Sequence, residues 1–429
     1  MKAGDSMVVV GGLRTPFCRA GTALAGMDAA ELGRAAVSAL LTKFGLDPAQ
    51  VDETIFGCVA QPADAPNIAR VIALRAGIPR ERPAMTVQRN CASGLQAITT
   101  AWEKLSAGQG EVFIVGGVES MSRMPLQFRH EAALKFATLA KSRGAMGRAR
   151  ALSAFRLHDL APVITLRLGL TDPVVSLNMG QTAELLAREY RISREVQDAF
   201  AVRSHLLAHA HRAALAEEIA PVYVRNGGVT AVTQDNGVRA DSTLEKLAAL
   251  RPIFDPVMGS VTAGNSSQIS DGAVALLVCS ERKAEVLGLR PLGRLVSQAW
   301  TGCDPARMGL GPVTAMAKAL HAAGWTLDDA DIVEINEAFA AQVLAVLKCL
   351  KDPASARRAG LDGPLGELDH SRLNPQGGAI ALGHPVGATG ARLVLTALHQ
   401  LRNSKRQRAV VSLCIGGGQG GALCLEAIS

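Results

Sequence analysis

The sequence predicts an α/β protein of two similar halves with a mostly helical segment inserted between them. Three observations carry this expectation. Short apolar runs alternate with helical patterns up to Gly117, strand signals thin out from Met121 to about Pro252, and the alternation returns after Ala263. Length agrees, because 429 residues exceed the roughly 250–300 that one core sustains. The boundaries expected are 1–120 for the first half (completed by about 253–280), 121–252 for the inserted segment, and 281–429 for the second half.

In order, Val8–Gly11 reads as a buried strand, and an Ala-rich helix follows from about Met27 to Phe44. Thr54–Cys58 is a second strand, Asn67–Ala76 a helix, and Met85–Gln88 a strand running into Asn90-Cys91-Ala-Ser-Gly94. A helix then continues to about Ala107, and Val112–Gly116 closes the unit. In the insertion the clearest helices are Met179–Tyr190 and Arg194–Ala216, the latter capped by Ser193. Strands at Asp271–Ser280, Ile332–Ile335 and Ala409–Cys414, the last read as the final core strand, then alternate with helices at Pro312–Ala323, Ala338–Leu350 and Gly387–Leu401. Each half has a strand that ends in glycines, at Gly116-Gly117 and at Gly416-Gly417-Gly418.

Composition narrows the function classes. The longest apolar runs, Val410–Leu413 and Val274–Cys279, are too short to span a bilayer. Met1–Met7 carries one Lys and no apolar stretch, so no export signal is expected. The eight cysteines form no C-x-x-C pair, which points to reduced thiols, a cytoplasmic setting and no zinc site. The net charge of +7 is local: Arg123–Arg167 holds nine basic residues against Glu131 and Asp159. Without interleaved stacking aromatics this stretch does not suggest nucleic acid. It fits a phosphate-bearing small molecule, an anionic membrane surface, or a solvated basic loop.

Four places carry candidate chemistry. Cys91 lies where a strand turns into a helix, near unpaired N–H groups that favour a thiolate, although a small buried packing residue is the alternative. His384, between Gly383 and Pro385 at a helix mouth, suits a general base. Cys414 ends a core strand ahead of Gly416, where backbone N–H groups can approach an oxyanion. Gly416, Gly418 and Gly421 also match a dinucleotide-binding pattern, but too few residues follow for such a unit. Asn336 stands at another strand-to-helix junction, where a plain helix cap is the rival account.

Seven stretches in order resemble the thiolase family over essentially the whole chain. They are Asn90–Gly94, Gly116–Ser122, Met179–Glu184, Thr262–Ser267, Asn336–Phe339, Gly377–Gly387 and Cys414–Gly421. The resemblance implies the layered αβαβα thiolase fold of two βαβαβαββ halves with a loop domain. It implies cleavage of 3-ketoacyl-CoA, with coenzyme A as a substrate and no cofactor or metal. Carried over, Cys91 would hold the acyl group, His384 would activate thiols, and Cys414 would move the α-proton. Asn336 with His384, and the N–H groups of Cys91 and Gly416, would form two oxyanion holes. Ser267, Arg239, Met179 and Phe339 would contact coenzyme A or substrate.

Some positions depart from short-chain members, which usually carry His before Met179, where this chain has Asn178; Gln376 also replaces a frequent Asn. Both are expected to line the acyl or pantetheine region. The basic insertion, with Phe128, Phe136 and Phe155 on amphipathic helices, resembles trifunctional-type β-subunits. That implies fatty-acid β-oxidation, membrane contact through 123–167, a hydratase/dehydrogenase α-subunit as partner, and a homodimer or tetramer. The alternatives are a short-chain acetoacetyl-CoA thiolase, a ketosynthase-like condensing enzyme, which would lack Cys414, and a non-catalytic acyl-CoA or lipid carrier, which would be expected to lose Cys91, His384 or Cys414.

Overall fold

A computed structural model describes residues 6–225 and 227–428. Most of the export-signal expectation at Met1–Met7 therefore lies outside the described residues. The central sheet contains β1 (Met7–Arg14), β2 (Glu53–Gly57), β3 (Ala84–Val87), β4 (Val112–Ser120) and β5 (Ser270–Ser280) from the first half. The second half adds β6 (Gly293–Gly302), β7 (Ile332–Ile335), β8 (Arg408–Ile415) and β9 (Gln419–Ala427). A two-residue strand, Cys18–Arg19, pairs with β5.

Strand order runs β3-β2-β4-β5-β1-β6-β9-β8-β7, and β1 joins β6 through Val8–Arg294 and Val9–Gly293. From the outer end inward, each half repeats one scheme. β2 is parallel to β4 and β7 is parallel to β8, while β5 and β9 run antiparallel to them. The counterpart of β3 is reduced to a single parallel bridge, Val333–Leu373. The repeated element order is thus a repeated topology.

Period-2 alternation sorts the strand side chains into layers. Val9, Phe113, Leu276 and Val411 face a middle layer of two helices, α2 (Ser93–Ser106) and α5 (Val386–Ser404). Val8, Val10, Ile114 and Leu277 face outward onto α1 (Ala29–Phe44) and the Ile68–Arg75 helix. Val333, Ile335 and Val410 pack on α3 (Gly311–Ala323) and α4 (Ala340–Lys351) on the opposite outside. The result is the expected αβαβα layering. Residues Val386–Leu401 of α5 are buried all round, as a helix between two sheets must be.

Three expectations need correction. β8 is not the final core strand, because Gln419–Ala427 folds back on it; its glycines hid the apolar alternation. β6 was also missed, since of the alternate positions it buries, Gly293, Leu295 and Ser297, only one carries a large apolar side chain. The helix expected over 194–216 breaks at His211 into Arg194–Ala210 and Arg212–Ala216. Among the described residues no helix is long and apolar enough to cross a membrane.

Candidate active site

Chain reversal at the inner ends of the two halves builds the site. The chain leaves β3 through Asn90, whose φ of 44° is a left-handed conformation that Asn tolerates better than most residues. This sharp turn places Cys91 two residues before α2. His384 stands two residues before α5, so Cys91-Ala-Ser-Gly94 and His384-Pro-Val-Gly387 occupy equivalent positions in the two halves. By the same register Asn336, after β7, matches Cys58 after β2, and Cys414 on β8 matches Glu119 on β4.

The two helix starts come together because glycines let them. A Cβ on Gly94 would stand 2.9 Å from the Gly387 carbonyl, and one on Gly390 would stand 2.5 Å from the Leu95 nitrogen. Gly416 completes the junction: its carbonyl accepts from the Asn90 amide at 2.7 Å, and its N–H hydrogen-bonds the Cys91 sulfur. Asn336 is carried to the same place by its N–H donating to the Ser412 carbonyl, two residues before Cys414.

His384 has one tautomer written into its contacts. The Thr389 hydroxyl gives its only hydrogen to the Pro385 carbonyl at 3.0 Å, so at 2.7 Å it accepts from Nδ1–H of His384. The lone pair is thereby on Nε2, which faces the Asn336 amide at 3.5 Å. Burial, with Arg392 adding repulsion, pushes the His384 pKa down to about 3, so the imidazole is neutral. Asn336 itself is fully buried, and its Oδ1 has no protein partner.

The thiols behave otherwise than the helix-dipole argument implied. Burial raises Cys91 above the usual 9.0, outweighing the N–H groups of Gly416 and Cys91 itself, which act the other way. Desolvation wins because two hydrogen bonds do not replace a hydration shell. Cys414 is raised further, by burial and then by the neighbouring Cys91. The resting site therefore holds two neutral thiols beside a neutral imidazole.

Cys91 is half-buried at the floor of a cavity of about 460 Å³. Asn90, Gly416, Gly417 and Val386 line the floor, and Met121, Met124, Leu166, Leu168, Leu170, Val174 and Met179 form apolar walls. The wall residues at 166–174 belong to the insertion and carried no sequence signal. Thr389 and Glu119 were also missed, although a charged residue directly after the apolar run Val112–Val118 was a visible cue.

The two halves match the family descriptions Thiolase, N-terminal domain over residues 7–282 and Thiolase, C-terminal domain over residues 289–427. The chain belongs to the thiolase family. It is accordingly an acyltransferase. Among curated relatives, it is similar to a 3-ketoacyl-CoA thiolase of Yersinia enterocolitica, 41% identical over 99% of this chain and 98% of that one. Among solved structures it resembles a Bacillus anthracis acetyl-CoA acetyltransferase, with a TM-score of 0.87 and 38% identity over 99% of both chains. It also resembles the human mitochondrial 3-ketoacyl-CoA thiolase, with a TM-score of 0.85 and 37% identity over 99% of both chains.

The remaining expected contacts of this thiolase divide. Met179 lines the cavity, and its sulfur is 3.3 Å from where a Gly416 Cβ would stand. Phe339 is buried edge-on against Phe254, with ring centroids 5.9 Å apart. Ser267 is half-buried, its N–H donating to the Ala338 carbonyl beside Phe339. Arg239 is exposed, its N–H donating to His205 Nδ1. Neither Ser267 nor Arg239 lines the cavity. Asn178 does not line it either: its side chain caps the Met179–Glu189 helix, accepting from the Gln181 N–H at 2.9 Å. Gln376 is buried away from the lining. Phe128, Phe136 and Phe155 touch through tilted rings, with centroids 5.0 and 4.8 Å apart, and Phe128 and Phe136 remain exposed.

Proposed function

We propose that this thiolase cleaves 3-ketoacyl-CoA with coenzyme A, reversibly, giving acetyl-CoA and an acyl-CoA two carbons shorter. One observation carries the reading: Cys91, Gly416, Cys414 and the His384–Asn336 pair gather at the meeting of two helix starts, and Cys91 opens into an apolar cavity.

Nε2 of His384 takes the Cys91 proton as the sulfur attacks the ketone carbon. The alkoxide forms beside the N–H groups of Cys91 and Gly416, both already directed at the sulfur. The bond between the α- and β-carbons breaks, and its electrons pass into the thioester as an enolate. Asn336 and His384 are the donors proposed for that oxygen, with the free Asn336 Oδ1 suited to hold an ordered water. Cys414, kept protonated by burial, gives its proton to the enolate carbon and releases acetyl-CoA. Coenzyme A then attacks the Cys91 thioester, and over the cycle its thiol proton replaces the one given to acetyl.

The cavity is the proposed acyl subsite. At roughly 30 Å³ per water-sized group, 460 Å³ holds about fifteen, well beyond an acetoacetyl group. This supports longer-chain substrates and a place in fatty-acid β-oxidation. Ser267 and Arg239 are proposed to meet the pantetheine and nucleotide outside the cavity. Among the described residues, eleven of twenty-two exposed large hydrophobic side chains fall between Leu126 and Val174, alongside the excess of basic charge. That lobe is the proposed contact for an anionic membrane surface. A homodimer or tetramer, a hydratase/dehydrogenase partner and a cytoplasmic setting complete the proposal. Steady-state cleavage of 3-ketoacyl-CoAs from acetoacetyl to about palmitoyl length tests the reading. Each methylene placed in the cavity is worth about 0.8 kcal/mol, or roughly fourfold in kcat/KM. Activity confined to acetoacetyl-CoA would contradict the longer-chain assignment.

A further inference from the structure

Glu119 is fully buried in the first half, at the position Cys414 occupies in the second. Its carboxylate is saturated with donors from two separate segments. Oε2 accepts from the Val59 N–H at 3.1 Å and from the Gly387 N–H at 2.9 Å. Oε1 accepts from the Ala60 N–H at 2.9 Å and faces the Cys58 thiol at 3.8 Å. Gly387 lies in the first turn of α5, three residues after His384, whereas Val59 and Ala60 follow β2 in the other half. The carboxylate is thus the tie between the first-half loop and the helix start that presents His384. A Cβ at Gly387 would stand 2.8 Å from Oε2, so the fit leaves no room for a side chain there. The negative charge is also felt at Cys91, whose thiol it helps to hold protonated.

We infer that Glu119 is a positioning residue for the reaction: as a carboxylate it fixes the start of the His384 helix against the Cys58–Ala60 loop. Among ordinary side chains of this length, only an ionised carboxylate accepts four donors at once; a carboxamide must turn its NH2 toward at least one of them. Burial lifts the Glu119 pKa to about 7, so the tie is complete above neutrality and loses an acceptor as the carboxyl protonates below it. The titratable groups around it are Cys58 on the loop, Cys91 before α2, His384 before α5, and Asp271 on β5. Cys58 and Cys91 are raised above 9.0, and His384 is lowered to about 3. Asp271, one residue from the β5 partner of Glu119, is bound by Ser122.

The inference rests on Cys91 and His384 being the reacting pair; turnover retained in Cys91→Ala would remove that foundation independently of any Glu119 result. The test is Glu119→Gln in the full chain, with kcat and KM for thiolysis and the pH profile of Cys91 alkylation by iodoacetamide. The expected result is a kcat lower by about 10- to 100-fold, as for other small misplacements of reacting groups. KM should stay within about twofold, since Glu119 does not line the cavity. The alkylation midpoint should move to lower pH, because a negative charge beside the thiol is gone. The acid limb of kcat near pH 7 should also vanish, because the variant has no carboxyl to protonate; loosened packing alone would leave that limb in place. Unchanged kcat, or a lower kcat with the acid limb retained, overturns the inference. Should Glu119→Gln fail to fold, Cys58→Ser decides: a hydroxyl donates more strongly, holds the carboxylate ionised to lower pH, and shifts the acid limb of kcat downward. An unmoved limb overturns the inference.

Discussion

Replacing Thr389 with Val isolates the tautomer of His384. The two side chains have nearly the same shape, and Thr389 is fully buried, so the change removes a hydroxyl and little else. The Pro385 carbonyl keeps the Ala388 and Thr389 N–H groups, at 2.9 and 3.0 Å. Nδ1–H of His384 loses its acceptor, and an unsatisfied buried donor costs about 1–3 kcal/mol. The imidazole recovers that energy by moving its proton to Nε2, the nitrogen that must be free to accept from Cys91. At about 1.4 kcal/mol per tenfold, the balance shifts by roughly 5- to 150-fold, and kcat should fall within that range. KM should hold, because Thr389 does not line the cavity. The assay is CoA-dependent cleavage of a 3-ketoacyl-CoA at saturating substrate, with Thr389→Ser as the rescue that restores the acceptor. A folded Thr389→Val enzyme with kcat within about twofold of wild type would refute the tautomer argument.

Three further outcomes follow from the site. Asn336→Ala should lower kcat by about 10²–10³ without abolishing it, the usual cost of one oxyanion donor; total loss or no change in the same assay would speak against that role. Cys414→Ala should still exchange acyl groups between acyl-CoA and Cys91 but should lose deuterium exchange into the methyl of acetyl-CoA. Retained exchange, read by mass spectrometry, would move the acid elsewhere. Because burial raises the Cys91 thiol above 9.0 and leaves His384 neutral, thiolate forms only toward alkaline pH. Iodoacetamide alkylation of free enzyme should keep climbing through pH 9, and a plateau at or below pH 8 would mean a resting thiolate–imidazolium pair.

Much of this was legible because the chemistry sits at chain reversals, where glycine, proline and asparagine leave marks. Cys91 after Asn90 and Asn336 after the Ile332–Ile335 strand stand at strand-to-helix junctions, as expected, whereas His384, between Gly383 and Pro385, joins two helices, Ala379–Leu382 and Val386–Ser404. The repeat of the halves was visible in element order, but its register, which pairs Cys91 with His384 and Glu119 with Cys414, needed the strand partners. The thiol prediction failed for a physical reason: a sequence shows a helix start but not the depth at which it is buried. The cap that Asn178 makes with Gln181 is readable at spacing three, since a polar residue before a helix is a cap first. The cavity walls at Leu166–Val174 were illegible because tertiary packing alone brings them over Cys91.

The acyl-enzyme at Cys91 is the central claim. Its most direct test is to mix the protein with a long-chain 3-ketoacyl-CoA in the absence of coenzyme A and digest the quenched mixture for peptide mass spectrometry. The account predicts release of acetyl-CoA and an acyl group, two carbons shorter than the substrate chain, on the peptide that contains Cys91; Cys91→Ala should give neither. An acyl group on a different residue, or cleavage that persists in Cys91→Ala, would contradict it.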